Sequence, residues 1–309
     1  MTRCVWATVW ALAALCLAAP AHGQTGVSII TDVVYGHKDG LALTFDVFTP
    51  DEANGAAVLW IVSSGWESWW RRPDEDGALP EYESLLRSGF TVLRVRHGSA
   101  PRYKVPEAYA DVRRAVRFIR LNSTAYGVDP NRLGVTGWSA GGHLALMIGL
   151  AADEGDPTAE DETLRGSSKV AAVVAIFPPI DLRAHRTHSE SSPPDFPNDA
   201  MYFASGVVRS LLTGQTFYKA LVFDDVVAAS VSPILHVSAD DPPTLLIHGD
   251  ADRVVDPNNS RVIHEALANR GVETDLVVVV DGPHGFEEPE HNRQSREAMV
   301  AWFERHLGL

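Results

Sequence analysis

The chain has 309 residues, 45% of them hydrophobic and 21% charged, with a formal net charge of −14. That is an ordinary globular composition with enough apolar material for a sizeable core, and the negative balance argues against nucleic acid or an anionic membrane surface as partner. Only two cysteines occur, Cys4 and Cys16.

Arg3 precedes an apolar run from Val5 to Ala19, which is followed by Pro20 and the small residues of "APAHG". This reads as a secretory signal peptide spanning residues 1–23, with cleavage after Ala21 or Gly23 fitting equally well. The run is shorter than the roughly 20 residues of a spanning helix, so no stable membrane anchor is expected after cleavage and the protein is expected to be secreted or periplasmic. Both cysteines leave with that segment, which excludes a disulfide framework or a cysteine nucleophile from the mature chain, residues 24–309.

Along the mature chain, apolar runs alternate with helical segments. "LALTFDVF" (41–48) alternates as a half-buried strand, whereas "AAVLWIV" (56–62) and "FTVLRV" (90–95) read as strands buried on both faces. The segment from Val105 to Leu121 places Val105, Ala108, Val112, Ala115, Val116 and Ile119 on one helical face. A strand from Arg132 to Thr136 then meets "GWSAGGH", and a helix starts near Ala140. Strands follow at 170–177, 243–249 and 274–280, and helices at about 258–270 and 292–307. Residues of about 181–231, including "SSPPDFPND", break this rhythm and are expected to form a cap. The pattern predicts one α/β domain, a mostly parallel sheet flanked by helices.

Ser139 stands at a strand-to-helix turn of the form G-x-S-x-G. Gly137 and Gly141 lack the β-carbons that would collide in so sharp a turn, which leaves the serine hydroxyl at its apex. The following helix aims its first amides at the same point, so Ala140 N–H can face an oxyanion. A serine needs a base and an orienting acid, and the ends of later strands supply them: "HGDADRVVDP" from His248 and "DGPHGF" from Asp281, with His284 as base. Asp250, Asp252 and Asp256 are the acids that this spacing offers.

With these motifs in place, the chain resembles α/β-hydrolase carboxylesterases of the feruloyl-esterase-like and hormone-sensitive-lipase-like type, from "DVVYGHKDGLALTFDVFTP" through "GWSAGGHLAL" to "DDPPTLLIHGDADRVVDP" and "DGPHGF". The resemblance implies an α/β-hydrolase fold, with a mostly parallel eight-stranded sheet flanked by helices and an inserted cap, and a serine carboxylesterase whose mechanism needs no cofactor or metal. In the family's H-G-x-x-D-x-x-V pattern the acid falls on Asp252, with Asp250 as rival and Asp256 shaping the turn before Pro257. The usual His-Gly-Gly-Gly oxyanion segment is replaced by Val62-Ser63-Ser64-Gly65-Trp66, so Ser64 and Gly65 are expected to donate backbone N–H groups if the loop keeps its path.

His143 reads as packing beneath the turn and His248 as a strand-end hydrogen-bonding residue. His185 and His188 with Glu190 are too weak a pattern for a metal site. Trp66, Trp138 and His97 are expected at the substrate cleft. Exposed indoles there would stack on an aryl or sugar ring, or else pack against the cap. The substrate expected is a small-molecule or polysaccharide-linked ester. A prolyl-oligopeptidase-like peptidase or amidase, and a non-catalytic glycan-binding homologue, remain as alternatives.

Overall fold

A computed structural model describes residues 21–22, 26–73, 82–183, 200–202, 207–210 and 216–308. Its strands are β1 (Ala21–His22), β2 (Val27–Lys38), β3 (Leu41–Pro50), β4 (Ala57–Ile61), β5 (Thr91–Val95), β6 (Leu133–Trp138), β7 (Ala172–Ile176), β8 (Ala200–Tyr202), β9 (Val207–Ser210), β10 (Thr216–Tyr218), β11 (Thr244–Gly249) and β12 (Thr274–Val279). The helices are α1 (Glu83–Arg87), α2 (Val105–Leu121), α3 (Ala140–Leu150), α4 (Asp225–Ser230), α5 (Asn258–Asn269) and α6 (Pro289–His306).

The main sheet runs in the order β1-β2-β3-β5-β4-β6-β7-β11-β12. From β5 to β12 every neighbouring pair is parallel, and β1, β2 and β3 add antiparallel pairs at one edge. Eight strands thus make the expected mostly parallel sheet, and the two-residue β1 extends its antiparallel edge. The fold is that of an α/β-hydrolase. The continuous apolar runs have a simple cause: every residue of β4, β5 and β7 is buried, because helices cover both faces.

One face packs on α2, α3 and α5, through residues such as Val112, Leu144 and Ile263. The other packs on α1 and α6, through Leu85, Leu86, Met299 and Phe303. The six residues read as the buried face of α2 are all inaccessible to solvent. Every residue of α3 is buried, which makes the helix after Ser139 the most enclosed of the described helices and a rigid base for a site.

Within the interval expected as a cap, β8, β9 and β10 form a separate antiparallel sheet, ordered β10-β9-β8. Beyond it, Ala220, Leu221, Phe223, Ala228 and Val231 join the core on the α2–α3 face, so the end of this interval is anchored in the main body. Residues 184–199, 203–206 and 211–215, which include His185, His188 and Glu190, lie outside the described residues, as does nearly all of the expected leader. No helix among the described residues is long and apolar enough to cross a membrane.

Candidate active site

Strand β6 ends at Trp138 and α3 begins at Ala140, so a single residue, Ser139, makes the turn, with φ 53° and ψ −118°. A side chain in that conformation is strained and survives only where its surroundings fix it. Ser139 N–H donates to Ile176 O at 2.9 Å, and Ser139 O accepts from His143 N–H at 2.9 Å. The glycines make the turn possible by what they lack: a β-carbon on Gly137 would fall 2.5 Å from the Gly141 carbonyl carbon, and one on Gly141 would fall 2.7 Å from Ile61 O. Gly141→Ala is therefore expected to destabilise the fold by about 1–3 kcal/mol as α3 is pushed from β4. Gly166→Ala, where an added β-carbon would meet no atom within 4 Å beyond its chain neighbours, serves as the control. Comparing the two denaturation midpoints checks this.

Ser139 meets two loops at the carboxyl ends of the parallel strands, where ligands bind in open α/β sheets. His284, after β12, places Nε2 3.1 Å from Ser139 Oγ and Nδ1 2.7 Å from Asp252 Oδ2. Asp252, after β11, has a fully buried carboxylate. Its Oδ1 accepts from Val254 N–H at 2.8 Å and Val255 N–H at 3.0 Å. Burial alone would raise the Asp252 pKa, but hydrogen bonds with His248 and His284 and from those two amides outweigh it and hold the carboxyl well below its usual value. An ionised carboxylate can only accept, so His284 Nδ1 carries the proton and Nε2 turns a lone pair to the Ser139 hydroxyl.

The rival acids sit elsewhere. Asp250 is exposed and accepts from Asp281 N–H at 2.7 Å. Asp256 accepts from Asn258 N–H at 2.8 Å, as befits the turn before Pro257. His248 Nε2 comes within 3.3 Å of Asp252 Oδ2, closer to the site than its reading as a strand-end residue implied, and its Nδ1 bonds Ser260 Oγ at 2.7 Å. Phe177, which sequence reasoning passed over, packs on the His284 ring with centroids 4.5 Å apart. Its signal was positional: it follows β7 at the same edge of the sheet as Ser139.

The segment after β4 takes a path that corrects one expectation. Ser64 N–H donates to Glu67 O at 2.9 Å and Glu67 N–H returns a bond to Ser64 O at 3.0 Å, so the Ser64 amide is already committed. Gly65 N–H and Ala140 N–H have no partner among the described residues. The positive φ angles fall on Gly65 (56°) and Trp66 (61°), and neither Ser63 nor Ser64 has to adopt one.

Two of the three expected cleft residues are not there. Trp66 is buried, and its indole Nε1–H donates to His143 Nδ1 at 3.2 Å. His97 is buried too, with Nδ1–H donating to Gly98 O at 2.8 Å. The third, Trp138, does line a cleft of about 80 Å³ together with Trp60, Val62, Ser63, Trp69 and Arg94. Ser63 Oγ and Trp138 Nε1 are buried and have no hydrogen-bond partner among the described residues. Among the described residues, no group of three His, Cys, Asp or Glu side chains is placed to hold a metal ion.

Burial pushes His97 and His143 down to a pKa of about 4, against carbonyl bonds that favour the charged ring. The unfolded chain takes up these protons at an ordinary histidine value of 6.5. Their contribution to stability is therefore present above about pH 6.5 and is lost as pH falls toward 4, on the order of 3 kcal/mol for each ring. Urea unfolding at pH 7, 5.5 and 4.5 should show that decline; a flat profile would contradict it.

The family model described as BD-FAE matches residues 45–267, which include Ser139 and Asp252 and stop short of His284. Esterase LipQ of Mycobacterium tuberculosis (strain ATCC 25618 / H37Rv) is 29% identical over 250 residues, covering 79% of this chain and 54% of that protein. Ethyl acetate hydrolase of Pseudomonas putida is 25% identical over 272 residues, covering 83% and 75%. The chain spans about half the length of the mycobacterial relatives that it matches. Among solved structures, a truncated form of a carbohydrate esterase from gut microbiota superposes with a TM-score of 0.69 at 26% identity, covering 94% of this chain and all of that one. The match over most of the chain, on the fold and turn just described, makes this protein a member of the BD-FAE family.

Proposed function

We propose that the protein is a serine carboxylesterase acting through an acyl-enzyme on Ser139. The observation that carries this reading is the continuous hydrogen-bonded chain from Ser139 Oγ through His284 to Asp252, at 3.1 and 2.7 Å, across three loops at one edge of the sheet. Ser139 Oγ attacks the ester carbonyl carbon as its proton passes to His284 Nε2. The carbonyl oxygen, now negative, is met by the amides of Ala140 and Gly65. Collapse of the tetrahedral adduct breaks the bond to the alcohol oxygen, which leaves with the proton from His284. Water then repeats the sequence on the acyl-enzyme, giving its proton to His284 and releasing the acid and Ser139. Asp252 stays ionised throughout and steadies the imidazolium.

For the substrate we take a short-chain acyl ester, with the alcohol carried on an aryl or carbohydrate group. We assign the acyl group to the cleft of about 80 Å³ at Trp138, the residue before the nucleophile, whose size suits an acetyl-sized group better than a long chain, since even benzene occupies engineered cavities of roughly 150 Å³. The indoles of Trp60, Trp69 and Trp138 and the unpartnered Ser63 hydroxyl suit a ligand with both apolar faces and polar edges. The names of the Pseudomonas relative and of the gut carbohydrate esterase point the same way. We also take residues 1–23 as an export leader, which N-terminal sequencing of the exported protein would test.

p-Nitrophenyl acetate, butyrate and octanoate should be hydrolysed in falling order of kcat/KM. A ranking led by octanoate would remove the short-chain assignment, and hydrolysis of the matching anilides in preference to the esters would favour an amidase.

A further inference from the structure

Gly65 and Trp66 adopt consecutive left-handed conformations. Glycine does so freely, but tryptophan does not, so something must hold Trp66 in place. Its carbonyl accepts from Ala100 N–H at 3.2 Å. Its indole lies between two rings, nearly perpendicular to both: His143 at 5.4 Å and Tyr218 at 6.0 Å between centroids. The only polar atom of its side chain donates to His143 Nδ1.

His143 is built for that bond. It sits in the first turn of α3, four residues after the nucleophile, and is inaccessible to solvent. Its Nε2 lies 2.8 Å from Val231 O, and a carbonyl can only accept, so Nε2 carries the proton. In the neutral ring Nδ1 must then offer a lone pair, which is what the Trp66 indole N–H requires. One ring thus joins the helix that carries the Ala140 amide to the loop that carries the Gly65 amide. The Val231 carbonyl, at the end of the interval 181–231, sets its tautomer.

We infer that His143 is a positioning residue for ester hydrolysis, holding the Gly65 N–H at the developing oxyanion through the Trp66 indole. This rests on the serine-esterase reading. The two oxyanion donors come from different elements, and their separation must be kept within a few tenths of an ångström for both to reach one oxygen. Among the described residues no backbone hydrogen bond of this loop runs directly to α3, and the His143–Trp66 bond is a polar tie between the two halves.

The assignment predicts a particular pattern among variants. His143→Gln can still donate toward Val231 O but offers Trp66 no acceptor at the Nδ1 position. His143→Asn places its carbonyl oxygen near that position and can still accept. Trp66→Phe keeps a buried ring and loses the donor. With p-nitrophenyl acetate, His143→Gln and Trp66→Phe should each lower kcat by about 10- to 100-fold, with KM within about threefold of the parent, because a misplaced donor is felt in the transition state. The double variant should be no slower than the slower single, since both cut one bond. His143→Asn should recover kcat to within about threefold of the parent, and affinity for an aryl boronic acid, a mimic of the tetrahedral adduct, should follow kcat across the set. Full kcat in His143→Gln, additive losses in the double variant, or an Asn variant as slow as the Gln variant would each overturn the assignment. Thermal midpoints measured on the same samples separate a loss of position from a loss of fold, and kcat losses that merely track those midpoints would overturn it as well. A parent protein without ester turnover would overturn the esterase reading and this assignment together; a parent that turns over beside an unimpaired His143→Gln overturns this assignment alone.

Discussion

Ser139→Ala is expected to lower ester turnover by roughly 10⁴- to 10⁶-fold with little change in stability. The hydroxyl is the atom that would form the covalent bond, and nothing else on the three loops can replace it: His284 is bonded to Asp252, and that carboxylate is buried. Stability should hold because the strained backbone at Ser139 is fixed by its N–H donating to Ile176 O, its carbonyl accepting from His143 N–H, and the glycine contacts, none of which involves Oγ. Kinetics on parent and variant, matched by circular dichroism and thermal midpoint, check both halves of this expectation. A variant with residual activity above about one hundredth of the parent would mean that another group is the nucleophile.

Asp252→Asn should cost about 10⁴-fold in kcat, whereas Asp250→Asn should stay within about tenfold of the parent. The reason is the tautomer. Asp252 Oδ2 accepts the proton on His284 Nδ1, and that bond leaves Nε2 free to take the Ser139 proton. An amide NH₂ in place of that oxygen would favour a proton on Nε2, pointing a donor at a donor. Asp250 accepts from the Asp281 amide and remains in solvent, so its charge reaches the site weakly. Parallel kcat measurements on the two variants decide; the reverse order of effects would transfer the orienting role to Asp250.

The parts of the molecule that could be read from sequence are those with local causes. Parallel strands buried on both faces leave continuous apolar runs, so β4, β5 and β7 were evident. The helix α2 announced itself by six apolar positions on one face. The turn at Ser139 was evident because its glycines answer to contacts within a few residues and across one strand. Helix α1 was missed, since five residues are too few to show a period.

What could not be read depends on which way a loop folds once it leaves the sheet. Trp66 and Trp138 both adjoin the expected cleft in sequence, yet one indole turns inward to His143 and the other faces the opening. Ser64 looked like an amide donor until the bridge to Glu67 used its hydrogen. His97 looked like a lining residue because it follows a strand at the correct edge, but its ring folds back on Gly98. For Ser64 and His97 the deciding partner is a backbone carbonyl, and for Trp66 it is the ring of a residue 77 positions away, none of which the local side-chain pattern encodes.

The most direct test of the central claim is covalent. The purified chain would be treated with diisopropyl fluorophosphate, digested and mapped by mass spectrometry, with p-nitrophenyl acetate turnover followed in the same sample. The account predicts one adduct, on the peptide that contains Ser139, forming in step with the loss of turnover and absent from Ser139→Ala. Turnover that survives complete reaction at Ser139, or an adduct on a different serine that alone accounts for inactivation, would contradict it.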